Sequence, residues 1–308
     1  MLNYVIRRLL QGMLTIFIVS IITFSLMHIS PGDPIEAFVG ERPLTSEQIE
    51  LLRQRWGLDL PIHEQYINWM SRMVRGDFGD SIMRPGQTIN TMIANAAPAT
   101  IYLNVYTLLV SIGIAIPLGV IAGVKRYSAL DYSSMLVAVL GICIPNFWLA
   151  LMLLLLFGLT LGWLPVSGVA SWHGWILPVA VLATAETALL ARLMRSSTIE
   201  VLTEDYVRTA RAKGLPNYTV IIRHAVRNAM LPITSIIGYR IAFMLSGTII
   251  VEQIFAIPGL GRLFISAVYR SDYQVVQAMV LLFAVVIVLV NILTDILYAY
   301  IDPRIRLG

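Results

Sequence analysis

Long runs of apolar residues constrain the fold of this 308-residue chain more than any other feature of its sequence. A helix needs about 20 consecutive apolar residues to cross a hydrocarbon core about 30 Å thick. Hydrophobic residues make up 57% of the chain and charged residues only 13%, whereas soluble domains carry about 25% charged residues. The sequence therefore predicts an all-α membrane protein with six transmembrane helices, at about residues 9–29, 99–123, 134–161, 174–194, 231–254 and 275–300.

Basic residues flank the apolar runs in a pattern that predicts topology. Basic pairs precede the first run and follow the second and the sixth, all on one side of a six-span chain: Arg7 and Arg8, Lys125 and Arg126, Arg304 and Arg306. The predominantly basic segment from Arg192 to Arg227 lies on the same side. The positive-inside rule then places both termini and this segment in the cytoplasm. The net charge of +4 is thus explained by topology and does not indicate nucleic-acid binding.

The first apolar run is predicted to be a retained span and not a cleaved signal. It extends to about Ile29, which is longer than the apolar core of about 7 to 15 residues in a signal peptide. It ends in Ser30-Pro-Gly-Asp-Pro34 without an obvious small-x-small cleavage site. The single Cys143 excludes an intramolecular disulfide.

Residues 30–98 are predicted to form a helical extracytoplasmic insertion between the first two spans. A Thr45-x-x-Gln48 capping pattern precedes one amphipathic stretch, and Pro61 begins a second that extends to Val74. Glycines and a proline in 76–86 then interrupt the helical pattern. The insertion is either a structural connection that packs on the bundle or also a docking surface for a soluble partner.

The prolines Pro117, Pro145 and Pro178 lie inside predicted spans. Each removes a helical hydrogen bond and predicts a kink. Kinks are common in membrane bundles, so they favour a transporter only slightly. No repeat, low-complexity tract or linker divides the sequence, which predicts a single transmembrane domain over residues 1–308.

A polar cytoplasmic loop, residues 196–230, separates the fourth and fifth spans. Ser197-Thr-Ile-Glu200 fits a capping box, and a second helix start is possible at Thr203. Gly214 can adopt the left-handed conformation that ends a helix, and Pro216 prevents its continuation. The sequence therefore predicts a short helix that ends by residue 214.

The surface of this short helix admits two interpretations. Its charges complement the helix dipole. Small side chains at Ala210 and Ala212 permit close approach by another chain, and Tyr206 lies four residues before Ala210. The helix is thus either a dock for another protein or an amphipathic helix on the lipid headgroups. The charged residues are Glu204, Asp205, Arg208, Arg211 and Lys213.

The loop resembles a family signature. The segments Glu204-Asp-Tyr-Val-Arg-Thr-Ala-Arg-Ala-Lys-Gly-Leu215 and His224-Ala-Val-Arg-Asn-Ala-Met-Leu-Pro232 resemble the EAA-type signature of binding-protein-dependent ABC importer permeases, in the dipeptide, oligopeptide and nickel group. One departure is Arg208-Thr-Ala210, where the general signature has Glu-Ala-Ala. The start of the chain and Leu161-Gly-Trp-Leu-Pro165 are similar to the B-type, first permease subunit. Further segments resemble family patterns in the same order: Arg7-Arg-Leu9, Pro31-Gly-Asp-Pro34, Gly76-Asp-Phe-Gly79 with Ser81, Gly141-Ile-Cys-Ile-Pro145, Arg195-Ser-Ser197, Phe255-Ala-Ile-Pro-Gly-Leu-Gly261, Arg270-Ser-Asp-Tyr273 and Asp302-Pro-Arg304.

The resemblance implies a type I ABC importer permease in the bacterial inner membrane. Its expected partners are a homologous second permease subunit, two ATPase subunits and an extracytoplasmic substrate-binding protein. Its expected cargo is peptides, with glutathione, opines or nickel chelates as alternatives. The resemblance also implies a coupling helix that contacts an ATPase subunit through Glu204, Asp205, Tyr206, Arg208, Thr209, Ala210, Arg211, Ala212, Lys213 and Gly214.

Two ionisable residues, Glu186 and Arg240, fall inside predicted spans. Charged groups at such depth are costly unless they are paired or hydrated. They either pair with each other or line the translocation path, where Arg240 could meet a peptide carboxylate and Glu186 an amino terminus. Asn146, next to Pro145, is a further candidate for the path because a broken helix exposes backbone carbonyls, although interhelical hydrogen bonding explains it equally well.

The sequence lacks the motifs of an enzyme. No Gly-x-x-x-x-Gly-Lys-Ser/Thr loop occurs, so the chain is expected to bind no cofactor, and ATP and Mg²⁺ would bind to the partner ATPases. His63-Glu64 begins a zinc-protease pattern, but Ile67 replaces the second histidine. A self-sufficient channel or secondary transporter is the alternative class, and such a protein has no need of an ATPase dock.

Overall fold

The computed structural model describes residues 2–29 and 45–301. Within these ranges the chain is predominantly helical, and no strand occurs. The helices are α1 (Leu2–Ile29), α2 (Ser46–Trp56), α3 (Ile62–Val74), α4 (Ile89–Val124), α5 (Ala129–Cys143), α6 (Asn146–Leu153), α7 (Ile176–Leu202), α8 (Asp205–Ala212), α9 (Arg227–Gly247), α10 (Ile249–Ile254), α11 (Leu260–Tyr269) and α12 (Tyr273–Ile301).

Contacts divide the chain into two compact units, Met1–Pro98 with Gly259–Gly308, and Ala99–Pro258. In the first unit α1 packs along α12. A methyl group added at Gly12 would lie 2.7 Å from Val288 Cγ1, so the glycine allows close approach of the two helices. Arg8 Nε also lies 3.0 Å from Asp295 Oδ2. The N-terminal and C-terminal spans of this unit are therefore held together by both packing and charge.

The two helices predicted within residues 30–98 are present as α2 and α3. The capping box at the start of α2 is confirmed: the Thr45 amide donates to Gln48 Oε1 at 3.0 Å, and the Gln48 amide donates to Thr45 Oγ1 at 3.4 Å. Pro61 directly precedes α3, as expected. The core beneath these helices contains Ile89 from α4 and Met279 from α12, both fully buried. The side of the membrane on which the insertion lies stays a prediction.

The second unit is built around α7, which packs against α5, α6 and α9. One apolar cluster joins Leu103 of α4 to Val181 of α7 and Val251 of α10. Another joins Ala115 of α4 to Met194 of α7 and Ile233 of α9. Half of the residues in the most apolar stretch of α7 are buried, a larger share than in the other candidate spans. The α7 helix is thus the central helix of this unit.

Four helices in the described part of the chain are long and apolar enough to cross a membrane: Tyr4–Ser25, Ile89–Val124, Trp172–Leu202 and Tyr273–Ile296. A bent pair of helices brings the number to five if the pair forms one span. The expected fifth span, residues 231–254, is divided into α9 and α10 at Thr248 and is not among these candidates. The structure therefore supports a multi-span helical membrane protein, and the number six stays a prediction.

The predicted third span, residues 134–161, is not one straight helix. It consists of α5 and α6 with a π-helical continuation at Leu154–Thr160, and the two parts are bent by 101°. The break falls at Ile144 and Pro145, whose extended backbone has ψ angles of 121° and 134°. The residue before a proline is disfavoured in helical conformation, so this kink is stronger than expected.

Pro117 and Pro178 do not break their helices. The α4 helix continues through Pro117 to Val124. Pro178 lies in the first turn of α7, where its missing amide hydrogen has no helical partner to lose. The helix begins only at Ile176, so Pro178 removes no hydrogen bond from the interior of this helix. The expected motifs Pro31-Gly-Asp-Pro34 and Asp302-Pro-Arg304, and the basic Arg306, lie outside the described residues.

Candidate functional site

The short polar helix predicted in the cytoplasmic loop is α8. Its N-cap is Glu204, with extended backbone, so the helix begins one residue after the expected start at Thr203. At its end Gly214 has φ +76°, and its amide donates to Arg211 O at 2.9 Å. The Leu215 amide donates to Ala210 O at 3.4 Å. This pair of bonds is a Schellman motif, which confirms the glycine stop.

One face of α8 is anchored to its own chain. Val207 and Ala210 are buried and pack against Val220 in the π-helical segment that leads into α9. Val201 and Leu202 at the end of α7 complete this apolar cluster. The small size of Ala210 thus serves close packing within the chain, and its contact with another chain stays a prediction. The helix is fixed to the ends of two neighbouring helices.

The opposite face of α8 is exposed and polar. It carries Tyr206, Arg208, Thr209, Arg211, Ala212 and Lys213, followed by Gly214. Arg208 Nη1 lies 3.5 Å from Asp205 Oδ1, and Thr209 Oγ1 donates to the Asp205 carbonyl at 2.9 Å. Partial burial raises the pKa of the Tyr206 hydroxyl, which strengthens its hold on its proton. The exposed face therefore offers several hydrogen-bond donors and net positive charge to a partner.

The loop begins later than the sequence suggested, because α7 continues to Leu202. The capping box expected at Ser197 and Glu200 is wrong. Ser197 lies inside α7, is 6% exposed, and its hydroxyl donates to the Ala229 carbonyl of α9 at 2.9 Å. This bond ties α7 to the helix that follows α8. A local sequence pattern could not distinguish this tertiary bond from a cap.

A second tie joins α7 to α5. Arg195 donates from both Nε and Nη2 to the carboxylate of Asp131, the second bond being 2.7 Å long. Asp131 is 1% exposed and also accepts from the Tyr127 amide at 3.0 Å. Arg195 was recognised as part of a motif, but its partner was missed because 64 residues separate the two. A bidentate pair of this kind fixes the relative position of two helices.

Glu186 and Arg240 are brought together, as the first of the two interpretations predicts. Arg240 Nε lies 2.9 Å from Glu186 Oε2, and the two side chains are 32% and 22% exposed. The pair borders a small cavity of about 10 Å³ that also contacts Ser111 and Leu108 of α4. Two charges inside the membrane thus compensate each other at the junction of α4, α7 and α9.

Asn146 is the third candidate for the path. It is the first residue of α6, directly after the 101° bend, and is half-buried. It is not among the residues that border the Glu186–Arg240 cavity.

A second buried carboxylate, besides Asp131, was missed in the sequence. Glu252 in α10 is fully buried, and it accepts a hydrogen bond of 2.7 Å from the hydroxyl of Thr100 in α4. The signal was an acidic residue inside the apolar run that ends at residue 254. Among the described residues, no group of three or more histidine, cysteine, aspartate or glutamate side chains could hold a metal ion.

Comparison with known proteins agrees with this arrangement. Residues 115–307 match the family described as "Binding-protein-dependent transport system inner membrane component", and residues 1–100 match the family for the N-terminal part of such membrane components. The glutathione transport system permease protein GsiC of Escherichia coli (strain K12) is 42% identical over 306 residues, covering 99% of each chain. The oligopeptide transport system permease protein AppB of Bacillus subtilis (strain 168) is 38% identical over 316 residues, covering 99% of this chain and 100% of that protein. The chain therefore belongs to the family of inner-membrane components of binding-protein-dependent transport systems, as a permease subunit of an ABC importer.

Proposed function

We propose that this chain and a homologous second permease subunit form the pathway by which a bacterial ABC importer carries peptides across the inner membrane. A binding protein delivers the cargo from outside, and two ATPase subunits bind on the cytoplasmic side, where both termini lie. ATP and Mg²⁺ bind to those ATPases, and this chain binds no cofactor. The chain itself is not an enzyme.

The observation that carries the proposal is the construction of α8. A helix of 8 residues is too short to be stable alone, yet this one has a defined stop and an apolar anchor at Val207 and Ala210. Its remaining face is exposed and positively charged. A rigidly held helix with a free polar face is suited to receive a push from another protein and to pass it to the spans.

The contacts of α8 suggest how that push travels. The anchor residue Val220 leads directly into α9, and Ser197 ties α9 to α7. Arg195 of α7 holds Asp131 at the start of α5, and α5 ends at the bend before Pro145. Displacement of α8 by closing ATPases would therefore move α9, α7 and α5 together and rock the bent span between inward-open and outward-open states.

Photo-crosslinking tests the docking role of α8 directly. The probe p-benzoylphenylalanine is placed at Ala212, which is exposed on the polar face, in the assembled transporter in membranes. We expect an ATP-sensitive crosslink to an ATPase subunit. The matched control is the same probe at Val74 of α3, which is 80% exposed and belongs to the proposed extracytoplasmic insertion. A crosslink at residue 74 but none at 212 would reverse the proposed orientation.

Uptake by the reconstituted transporter with its cognate binding protein tests the cargo. The relatives named for oligopeptide and glutathione transport support peptides and peptide-like molecules as cargo. Radiolabelled dipeptide, longer peptide, glutathione, an opine and a nickel chelate are compared in competition. We expect ATP-dependent peptide uptake that unlabelled peptide inhibits. Uptake of only one of the other cargoes would assign the transporter to that substrate class, and uptake without ATP or ATPases would indicate a secondary transporter.

Three residues are proposed to line the path. Glu186 and Arg240 form an ion pair beside a small cavity, and Asn146 begins α6 at the bend. Opening of the ion pair would expose an anion site and a cation site to the two ends of a peptide. Uptake of peptides with blocked amino or carboxyl termini, measured with Glu186→Gln and Arg240→Gln, tests these roles. If neutralising both charges together left uptake and specificity unchanged, the pathway role would be wrong.

A further inference from the structure

A cavity of about 120 Å³ lies within the first unit, between α1, α3 and the start of α12. This volume is large enough for several water molecules or for a small organic molecule. Aromatic rings of Phe24, Trp69 and Phe78 form part of its wall. The cavity is formed by the insertion and the two helices against which it packs.

Two hydrogen-bond donors in the wall are buried without an acceptor. Gln277 is 4% exposed, and its Nε2 has no hydrogen-bond partner among the described residues. Trp69 lines the same cavity, and its buried Nε1 also has no partner within the part of the chain that the structure describes. A buried donor without an acceptor destabilises the folded state, and an acceptor-bearing molecule in the cavity would satisfy both donors.

Amide and charged groups continue the polar wall. Gln274 precedes Gln277 by one helical turn and lines the same cavity. Arg72 Nε donates to Asp77 Oδ2 at 2.9 Å, and the Gly79 amide donates to Asp77 Oδ1 at 3.0 Å. Both charged groups line the cavity. The wall therefore contains the Arg72 guanidinium and neutral N–H donors, which can bind an anion. It also contains the Asp77 carboxylate, which can bind a cation.

We propose that this cavity binds an amino-acid carboxylate with an apolar side chain, either as a free amino acid or as the carboxy-terminal residue of a peptide. The carboxylate oxygens accept from Gln277 Nε2 and Trp69 Nε1, with Arg72 compensating the charge. The aromatic wall contacts the apolar side chain. A free α-amino group would face Asp77. The peptide form rests on the proposed function, whereas the amino-acid form does not.

Binding to the assembled transporter in lipid nanodiscs, without its binding protein, tests this inference. Leucine, N-acetylleucine and leucinamide are titrated by calorimetry. We expect leucine to bind and leucinamide, which lacks the carboxylate, to bind at least tenfold more weakly. N-acetylleucine distinguishes the two sources of the ligand. If N-acetylleucine binds as tightly as leucine, the ligand is the carboxy terminus of a peptide. If N-acetylleucine does not bind, the ligand is a free amino acid.

Two variants locate the binding. Gln277→Leu and Trp69→Phe each remove one donor and keep most of the volume, so each is expected to weaken leucine binding by about tenfold or more. The matched controls, Gln253→Leu and Trp172→Phe, change exposed residues outside the cavity and should bind as the wild type. Trp69→Phe keeps an aromatic ring, so it provides a test even if Gln277→Leu fails to fold.

Three results would overturn the inference: no binding of any probe, equal binding of leucine and leucinamide, or unchanged affinity in both donor variants. If the cavity held only water, none of the probes would bind. Peptide uptake by the same preparation, with the binding protein restored, separates this inference from the proposed function. Leucine binding without peptide uptake would support the binding site and reject peptides as the cargo. Peptide uptake without leucine binding would support the cargo and reject the binding site.

Discussion

Ser81 and Asp272 are hydrogen bonded in the interior of the first unit, although 191 residues separate them in the sequence. The Ser81 hydroxyl donates to Asp272 Oδ2 and accepts from the Arg84 amide at 2.9 Å. Both residues are almost fully buried, and each belongs to a segment with a family pattern. The bond fastens the turn after Gly79 to the turn between α11 and α12.

Loss of this bond should destabilise the protein. In Ser81→Ala the buried carboxylate of Asp272 loses its donor, and its Oδ1 has no partner among the described residues. We expect a loss of about 1 to 3 kcal/mol, measured by unfolding of the purified protein in mixed micelles. Ser71→Ala is the control, because the exposed Ser71 hydroxyl bonds only to Asn68 O in its own helix. Equal effects of the two substitutions would contradict the role of the buried bond.

Close packing of α4 on α7 makes a second prediction. A methyl group added at Gly119 would lie 2.6 Å from the Ala191 carbonyl, and one added at Gly123 would lie 2.8 Å from Thr198 Cβ. The two glycines form a Gly-x-x-x-Gly pair, which lets helices approach closely in membranes. Gly119→Ala should therefore cost about 1 to 3 kcal/mol. Gly113→Ala in the same helix is the control, because its added methyl group meets nothing within 4 Å.

Thermal unfolding and the amount of protein in the membrane measure this difference. Gly113→Ala is expected to be neutral or slightly stabilising, since alanine has the higher helix propensity. If Gly119→Ala and Gly113→Ala behaved alike, the contact between α4 and α7 would be looser than the structure has it.

The pair of Asp131 and Arg195 should tolerate little change. Both carboxylate oxygens accept from the guanidinium, and lysine cannot reproduce this two-point contact. Asp131→Asn leaves Arg195 without its counter-charge at a site where the carboxylate is 1% exposed. We expect a loss of about 3 kcal/mol, measured by unfolding in mixed micelles. Arg195→Lys should restore only part of the stability that Arg195→Met loses.

The exposed pair of α8 supplies the control for this prediction. Arg208 and Asp205 lie 3.5 Å apart, with side chains 71% and 96% exposed. Exposed ion pairs contribute about 0 to 1 kcal/mol, so Asp205→Asn should leave stability nearly unchanged. A loss as large as that of Asp131→Asn would show that burial is not the cause of the difference.

Acid should weaken the turn at Asp77. The hydrogen bond from Arg72 and that from the Gly79 amide hold the pKa of Asp77 below its ordinary value. A lowered pKa contributes stability that is present above the ordinary carboxyl pKa and is lost as the pH falls through the lowered value. The side chain is 53% exposed, so the contribution is less than about 1 kcal/mol. Wild type should exceed Asp77→Asn in stability at pH 7, and the difference should vanish in acid.

The partner of Asp77 provides the check. In Arg72→Gln the largest cause of the lowered pKa is absent, so Asp77→Asn should change stability less at pH 7 in that background. An undiminished effect would assign the lowered pKa to the Gly79 amide instead.

Features that depend on neighbouring residues could be predicted from the sequence. The cap at Thr45 and the stop at Gly214 involve groups within a few residues of each other, so local patterns determine them. Ser197 shows the limit of this approach. Its pattern fits a cap, but the apolar surface of α7 continues past it and its hydroxyl finds the Ala229 carbonyl of α9. Whether such a helix ends or continues depends on tertiary packing, which outweighs local preference.

The candidate site shows the same division. The position of α8 was predictable, whereas the inward direction of Ala210 depends on Val220, which follows in the next helical segment. Pro145 was identified as a kink, but the 101° bend depends on how α6 packs against α7 and α10. The partner of Arg195 could not be identified, because several acidic residues precede it and only the fold selects Asp131.

A double-mutant cycle at Glu186 and Arg240 measures their interaction. Each single neutralisation leaves the other charge mostly buried and without its counter-charge, so each should destabilise the protein more than the double variant does. We expect a coupling energy of about 0.5 to 3 kcal/mol from unfolding in mixed micelles. Ser111→Ala, a substitution beside the same cavity, is the uncharged control and should show much weaker coupling to either charge. Additive effects of the two neutralisations would mean that the ion pair contributes nothing to the folded state.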